Sequence, residues 1–145
     1  MTAIQVRHGA QYSRVSGVGA YRPERVVTNH ELVEAIDSSD EWIQERSGIV
    51  TRHFARPDET VVDMAEPAAL QALSQAGLSG DDIDGVIVAT ITHMLQTPAA
   101  APMLAHRLGA TPAAAFDVSA ACAGFCHGVA LADSMIRTGL ATRAL

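Results

Sequence analysis

The 145-residue sequence predicts an α/β fold in which helices cover a parallel sheet. Three observations carry that reading. Gly85 to Thr90, GVIVAT, is a short continuous apolar run of the kind found where a parallel strand is buried on both faces. Ala113 to Val118, AAAFDV, reads as a second strand, and the helical stretches between and around the two are closed by Gly77, Gly109 and Gly139. The last five residues, ATRAL at 141 to 145, look like the lead-in to a further strand.

The elements follow in order. Residues 1 to 12 carry little pattern and are expected to form an N-terminal extension, leaving 13 to 145 as the folded region. Residues 14 to 20, RVSGVGA, alternate enough for a strand whose glycines suggest close backbone approach. Asn29 is placed to cap one short helix. Ser38 and Glu41 have capping-box spacing for a second, ended by Gly48, and IVTRHF at 49 to 54 reads as extended. A helix then opens at Thr60 and Asp63, with Val61, Met64, Ala65, Ala68, Ala72 and Ala76 as its apolar stripe and Pro67 expected to kink its first turns. Pro98 suits the first position of a helix running to Leu108, and Cys122 to Thr138 is the last helix. Stopping at the threshold of a strand would leave an unpaired edge, so the chain reads as the front part of a larger protein.

Composition excludes several classes of function. With 48% hydrophobic residues and a net charge of -6, the chain is globular and offers no general field for nucleic acid or an anionic membrane. All ten cations are arginine. The N-terminus lacks the apolar core of a signal peptide, and no run approaches the ~18 apolar residues that span a bilayer. A cytoplasmic protein is expected. Its two cysteines, Cys122 and Cys126, are four apart, which fits neither a C-x-x-C redox pair nor a zinc knuckle, and they read as free thiols.

Cys122 is the residue with chemistry to offer. It falls where the strand ending near Val118 turns into a helix, and in a covered parallel sheet ligands bind outside the carboxyl ends of the strands. At a helix start, unpaired N–H groups and the helix dipole favour a thiolate and offer donors to an oxyanion. Ala120, Ala121, Ala123 and Gly124 keep the turn narrow enough for a carbonyl to reach the sulfur, as in the nucleophile elbow of serine hydrolases. The plainer alternative is a packed small residue at a tight turn. Cys126 and His127, both inside the helix, read as structural, as do Asp117 and Ser119 at the strand end.

These residues resemble a family. DVSAACAGF around Cys122, SSDEWIQERSGIVTRH at 38 to 53 and GVGAYRPERVVTN at 17 to 29 are similar to β-ketoacyl-acyl-carrier-protein synthase III, the initiating condensing enzyme of type II fatty-acid synthesis. The arginine-only, alanine-rich composition suggests a high-GC bacterium such as an actinobacterium. The resemblance covers residues 14 to 145 and implies a thiolase-like layered fold in a homodimer, this chain supplying most of the N-terminal half. It implies that Cys122 is acylated by acyl-CoA and that malonyl-acyl-carrier protein is then decarboxylated and condensed with the acyl group. No cofactor or metal is required, acyl-CoA being a substrate, and neither nucleic acid nor membrane is a partner. The family's catalytic histidine and asparagine belong to the second half, and none of the six histidines here matches them.

The resemblance also assigns a CoA-binding group. Trp42 and Arg46, four residues apart, share a helix face, where an indole can stack on adenine and an arginine can pair with phosphate. Ser47 stands where the family commonly has threonine, and Ser38 approaches the nucleotide. Without the resemblance, Trp42 reads as a core anchor with Arg46 in a surface ion pair. In the loop THMLQTPAA the family places an acyl-pocket residue just before the proline, here Thr97. A phenylalanine there restricts members to short primers, so threonine leaves room for a medium or long chain. Two alternatives stay open, another CoA condensing enzyme of the thiolase superfamily and a non-catalytic fragment or assembly subunit.

Overall fold

The computed structural model describes residues 8–145, which form two compact units, one built from the segment up to Ala20 together with Val61–Leu145, the other from Tyr21–Thr60. The proposed extension lies partly outside the described residues.

In the smaller unit, strand β1 (Arg25–Thr28) pairs antiparallel with β2 (Thr51–Phe54), Arg25 opposite Phe54 and Thr28 opposite Thr51. Between them lie helices α1 (Asn29–Val33) and α2 (Asp40–Ser47). Both helix starts differ by one residue from the sequence expectation. Thr28, not Asn29, caps α1 by accepting from the Glu31 N–H, and Ser39, not Ser38, caps α2 by accepting from the Trp42 N–H at 3.2 Å. Asn29 is turned inward and buried, so its amide is committed elsewhere. Gly48 ends α2 in the left-handed conformation, as expected.

The larger unit is the α/β part. Strand β3 (Gly85–Ala89) pairs parallel with β4 (Ala114–Val118), Gly85 opposite Ala114 and Ala89 opposite Val118. The final residues do pair as a strand would. Gly85 bridges Ala144 in parallel, and Leu145 exchanges hydrogen bonds with Gly85 and Ile87 on the edge of β3 away from β4. The Asp84 carboxylate holds that segment by accepting from the N–H groups of Thr142 (2.7 Å) and Arg143 (3.0 Å).

Helices α3 (Val61–Ala76), α4 (Ala100–Leu108) and α5 (Gly124–Arg137) complete the unit. Strand alternation explains how they cover the sheet. Val86 and Val88 of β3 belong to the apolar core formed with α3 and α4, through Val62, Leu73, Ala101 and Leu104. Gly85, Ile87 and Ala89 face α5 instead, where a Cβ added to Gly124 would stand 3.2 Å from the Ala89 Cβ and one added to Gly128 would stand 3.8 Å from Ile87. Strand β3 is thus covered on both faces, as its unbroken apolar run implied.

Two expectations fail here for physical reasons. The core side of α3 is centred on Val62, Ala69 and Leu73, with only Val61 and Ala65 of the stripe read from sequence packed against that core. Ala68, Ala72 and Ala76 of that stripe meet the segment 14–20, where a Cβ on Gly17 or Gly19 would fall 2.1 Å from the Ala72 carbonyl oxygen or 1.9 Å from that of Ala68. The close approach expected of these glycines is real, but the segment is extended without a ladder. Its N–H groups at Val18 and Ala20 donate to the side chains of Gln75 (2.6 Å) and Gln71 (2.7 Å) on α3.

Candidate functional site

Strand β4 delivers the chain to the turn that holds Cys122. The last helix does not start at the cysteine, as expected, but at Gly124, after a single 3₁₀ turn, Ala121–Ala123. Within that turn Ala121 has φ of 44°, and it is the one non-glycine residue with positive φ among those described. An alanine is strained there, because its Cβ crowds the following carbonyl. Strain of this kind persists only where the surroundings over-determine the conformation, and it gathers at functional turns.

The surroundings are visible. The N–H groups of Ala123 and Gly124 are used by the carbonyls of Ala120 (3.0 Å) and Ala121, whereas that of Cys122 meets no backbone acceptor among the described residues. Cys122 is exposed and its thiol is free. An exposed nucleophile beside its own unpaired N–H is the local equipment for attack on a carbonyl whose oxygen becomes negative. Cys126 is also exposed and free, and it lies in the first turn of α5, as its third residue.

No histidine among the described residues hydrogen-bonds either thiol. His53 Nδ1 meets the Pro23 carbonyl oxygen at 2.5 Å, His93 Nε2 meets that of Pro98 at 3.2 Å, and His30 lies 3.8 Å from Asp40. His127 is exposed on α5. Asp117 is structural, its carboxylate accepting from the N–H groups of Ala100 (2.9 Å) and Ala101 (2.7 Å) at the start of α4. Pro98 therefore stands outside that helix, and the cap comes from a strand residue that sequence spacing does not reveal. Thr97 is exposed in the loop before α4. Among the described residues no group of three or more histidine, cysteine or acidic side chains is arranged to hold a metal ion.

The second group of expected site residues belongs to the smaller unit. Trp42 and Arg46 do share a face of α2, with the guanidinium carbon 5.9 Å from the indole centroid. Trp42 is 56% exposed, so it is not a core anchor. Ser47 donates back to the Ile43 carbonyl at 2.7 Å and accepts from the Ile49 N–H at 3.2 Å, which ties the end of α2. Ser38 is different, because its hydroxyl oxygen is buried with no hydrogen-bond partner, a state that native structures rarely leave unexplained.

Sequence reasoning missed the residue that organises this unit. Asn29 is 1% exposed, and its amide nitrogen donates to Asp40 Oδ1 (2.6 Å) and to the Ile49 carbonyl (2.8 Å), while its oxygen accepts from Arg52. Hydrogen bonds from Gln44 and Asn29 hold the Asp40 carboxyl below its ordinary pKa, with the charges of His30 and Arg52 acting in the same direction.

Comparison with known proteins places these features. Residues 44–145 match the family model described as the thiolase N-terminal domain. β-Ketoacyl-[acyl-carrier-protein] synthase III of Kocuria rhizophila is 54% identical over all 145 residues, which cover 41% of that protein. The Mycobacterium tuberculosis protein of that description is 58% identical over 139 residues, 96% of this chain and 42% of the relative. Among solved structures, the priming β-ketosynthase of the R1128 polyketide pathway superposes with a TM-score of 0.88 at 45% identity, covering 95% of this chain and 41% of the other. The chain thus spans about two fifths of the length of these relatives. With its parallel strands and the cysteine turn between β4 and α5, it has the thiolase-like α/β fold and belongs to the thiolase N-terminal-domain family, alongside relatives named β-ketoacyl-acyl-carrier-protein synthase III.

Proposed function

We propose that this chain carries the nucleophile and a CoA-binding face of a β-ketoacyl-acyl-carrier-protein synthase III. The observation that carries the reading is the exposed Cys122 beside its unpaired N–H, at a strained turn between a parallel strand and a helix. The Cys122 thiolate attacks the thioester carbonyl of acyl-CoA, and the carbonyl oxygen becomes an oxyanion facing the Cys122 N–H. Collapse expels CoA as its thiolate and leaves an acyl-cysteine. Malonyl-acyl-carrier protein then loses carbon dioxide, and the resulting enolate carbon attacks the acyl-cysteine carbonyl. The carbon–sulfur bond breaks, Cys122 leaves as thiolate, and β-ketoacyl-acyl-carrier protein is released. The electron pair for the new carbon–carbon bond comes from the carboxylate that departs, so the reaction needs no cofactor.

Trp42 and Arg46 serve the nucleotide end of CoA, by stacking and by charge, and the orphaned Ser38 hydroxyl offers that end a further polar contact, with Ser47 at the end of α2. Thr97 borders the acyl pocket of a homodimer partner and admits medium or long primers. Residues 13–145 act as the N-terminal half of the enzyme, and the family's histidine and asparagine complete the second step. The enzyme works in the cytoplasm without nucleic acid or membrane; among the described residues no helix is long and apolar enough to cross a bilayer.

A second reading is favoured by the R1128 neighbour, a priming synthase of polyketide assembly. Both readings begin with acylation of Cys122 and part at the carrier protein that brings malonate. The test uses the full-length protein with acyl-CoA, followed by peptide mapping. A stoichiometric acyl group on Cys122, lost in Cys122→Ala, is expected. An acyl group on Cys126, or full activity in Cys122→Ala, would refute the assignment. Condensation tested with fatty-acid and polyketide carrier proteins separates the two readings.

A further inference from the structure

Helix α2 has little apolar burial to hold it, Ile43 being half-buried and Trp42 exposed. None of its residues is buried, and at eight residues it is too short to persist by itself in water. Yet it carries Trp42 and Arg46, whose use depends on where the helix stands. Among the described residues, Asn29 alone is both polar and buried, and it grips α2 at both ends. One amide hydrogen goes to Asp40, the first residue of the helix, and the other to the carbonyl of Ile49, just beyond its glycine cap. Arg52 of β2 closes the arrangement by donating to the Asn29 oxygen and to the Val27 carbonyl at 3.2 Å, which ties the grip to both strands.

The amide orientation is forced. A carboxylate and a carbonyl face one end of the side chain and a guanidinium faces the other, so nitrogen and oxygen cannot exchange places without losing all three bonds. Aspartate has nearly the same shape and the wrong pattern, because it would set one carboxylate oxygen against Asp40 and the Ile49 carbonyl with no hydrogen to give.

We propose that Asn29 is the positioning residue of the Trp42–Arg46 face: it touches no substrate, and by fixing both ends of α2 it sets the affinity for the nucleotide end of acyl-CoA. This rests on the reading of that face as the CoA site. The experiment compares Asn29→Asp, the milder Asn29→Ser, which retains one donor, and Trp42→Ala in the full-length protein. Four quantities are read: KM and kcat with acyl-CoA, the acylation rate with an acyl-pantetheine that lacks the nucleotide, and hydrogen exchange of the amides of residues 40–48.

Asn29→Asp should raise KM for acyl-CoA about tenfold or more, with Asn29→Ser between it and wild type, a size expected for losing buried hydrogen bonds to charged groups. Acylation by acyl-pantetheine should stay within about twofold and exchange in α2 should rise about tenfold, as expected if the helix opens locally. Unchanged exchange in both Asn29 variants would overturn the proposal, and so would an equal loss of rate with both thioesters, which marks a general folding residue. If Trp42→Ala raises KM and the Asn29 variants do not, the positioning role fails while the CoA face stands. If Trp42→Ala also leaves KM unchanged, the CoA face itself fails and the proposal falls with it.

Discussion

Replacing Asp117 by alanine should destabilise the protein by about 2 to 7 kcal/mol, more than is usual for a half-exposed strand residue. Its two carboxylate oxygens accept from the N–H groups of Ala100 and Ala101, at 2.9 and 2.7 Å. Those alanines are 1% and 0% exposed, so water cannot readily take over. A buried donor left without a partner costs about 1 to 3 kcal/mol, and two are created. Loss of the negative charge at the helix start adds about 0.3 to 1 kcal/mol. Against a typical total of about 5 to 15 kcal/mol the effect is large. Asp117→Asn keeps one acceptor and should lose about half as much. The assay is denaturant unfolding of both variants in the full-length protein, followed by the rate of Cys122 acylation. The second readout matters because consecutive β4 residues hold both ends of the loop that bears Thr97, Val118 accepting from the Thr90 N–H at 3.2 Å and Asp117 capping α4. Equal midpoints for Asp117→Ala, Asp117→Asn and wild type would refute the capping argument.

Two further outcomes follow. Asp40 and Asp82 both have carboxyl pKa values held below the ordinary one, Asp40 by Gln44 and Asn29 and Asp82 by the Ser79 N–H and hydroxyl. The unfolded chain therefore binds protons at these sites at higher pH than the folded one, so their stabilisation is present above about pH 4 and is lost as pH falls through the folded values. Asp82→Asn should flatten the acid limb of a stability-against-pH curve, and an unaltered limb would disprove the linkage. Thr97→Phe in the complete enzyme should depress kcat/KM for long acyl-CoA primers and spare acetyl-CoA, since each buried methylene excluded forfeits about 0.8 kcal/mol. Unchanged long-chain rates would remove Thr97 from the acyl pocket.

What the sequence made legible was local and repetitive. Strands β3 and β4 show themselves as apolar runs, and Gly48, Gly77, Gly109 and Gly139 take positive φ where the helix stops were expected. What it hid depended on partners distant in the chain. Alanines occupy several faces of α3, so periodicity could not choose between the stripe that meets the core and the one that meets residues 14–20. Strand β1 is four residues long and finds its partner more than twenty residues later, with no tight turn to announce the pairing. Thr28–Asn29 and Ser38–Ser39 each offer two adjacent capping residues. The choice fell to the one whose neighbour has work inside the fold: Asn29 at the hub and Asp40 as its partner. Cys122 stood out as a candidate because strand end, small residues and cysteine are contiguous. The strain at Ala121 was not, since alanine gives no signal of positive φ.

The small residues after Cys122 have a shared geometric reason. Gly124 stands against Ala89 and Gly128 is closest to Ile87, four helix residues matched to two strand residues along β3. Four residues of helix rise about 6.0 Å and two of strand about 6.6 Å, so the two repeats keep step. Without side chains at these positions α5 lies close on β3, and its first turn begins level with the end of that strand. The chain must climb from Val118 to that start within the five residues 119–123. A wide turn does not fit, and the left-handed Ala121 tightens the path. The same constraint leaves Cys122 on the outside of the bend with its sulfur exposed and its N–H unspent. Helix packing on β3 and exposure of the Cys122 thiol are therefore one arrangement: the glycines that let α5 approach the sheet fix where the preceding turn, with its cysteine, must end.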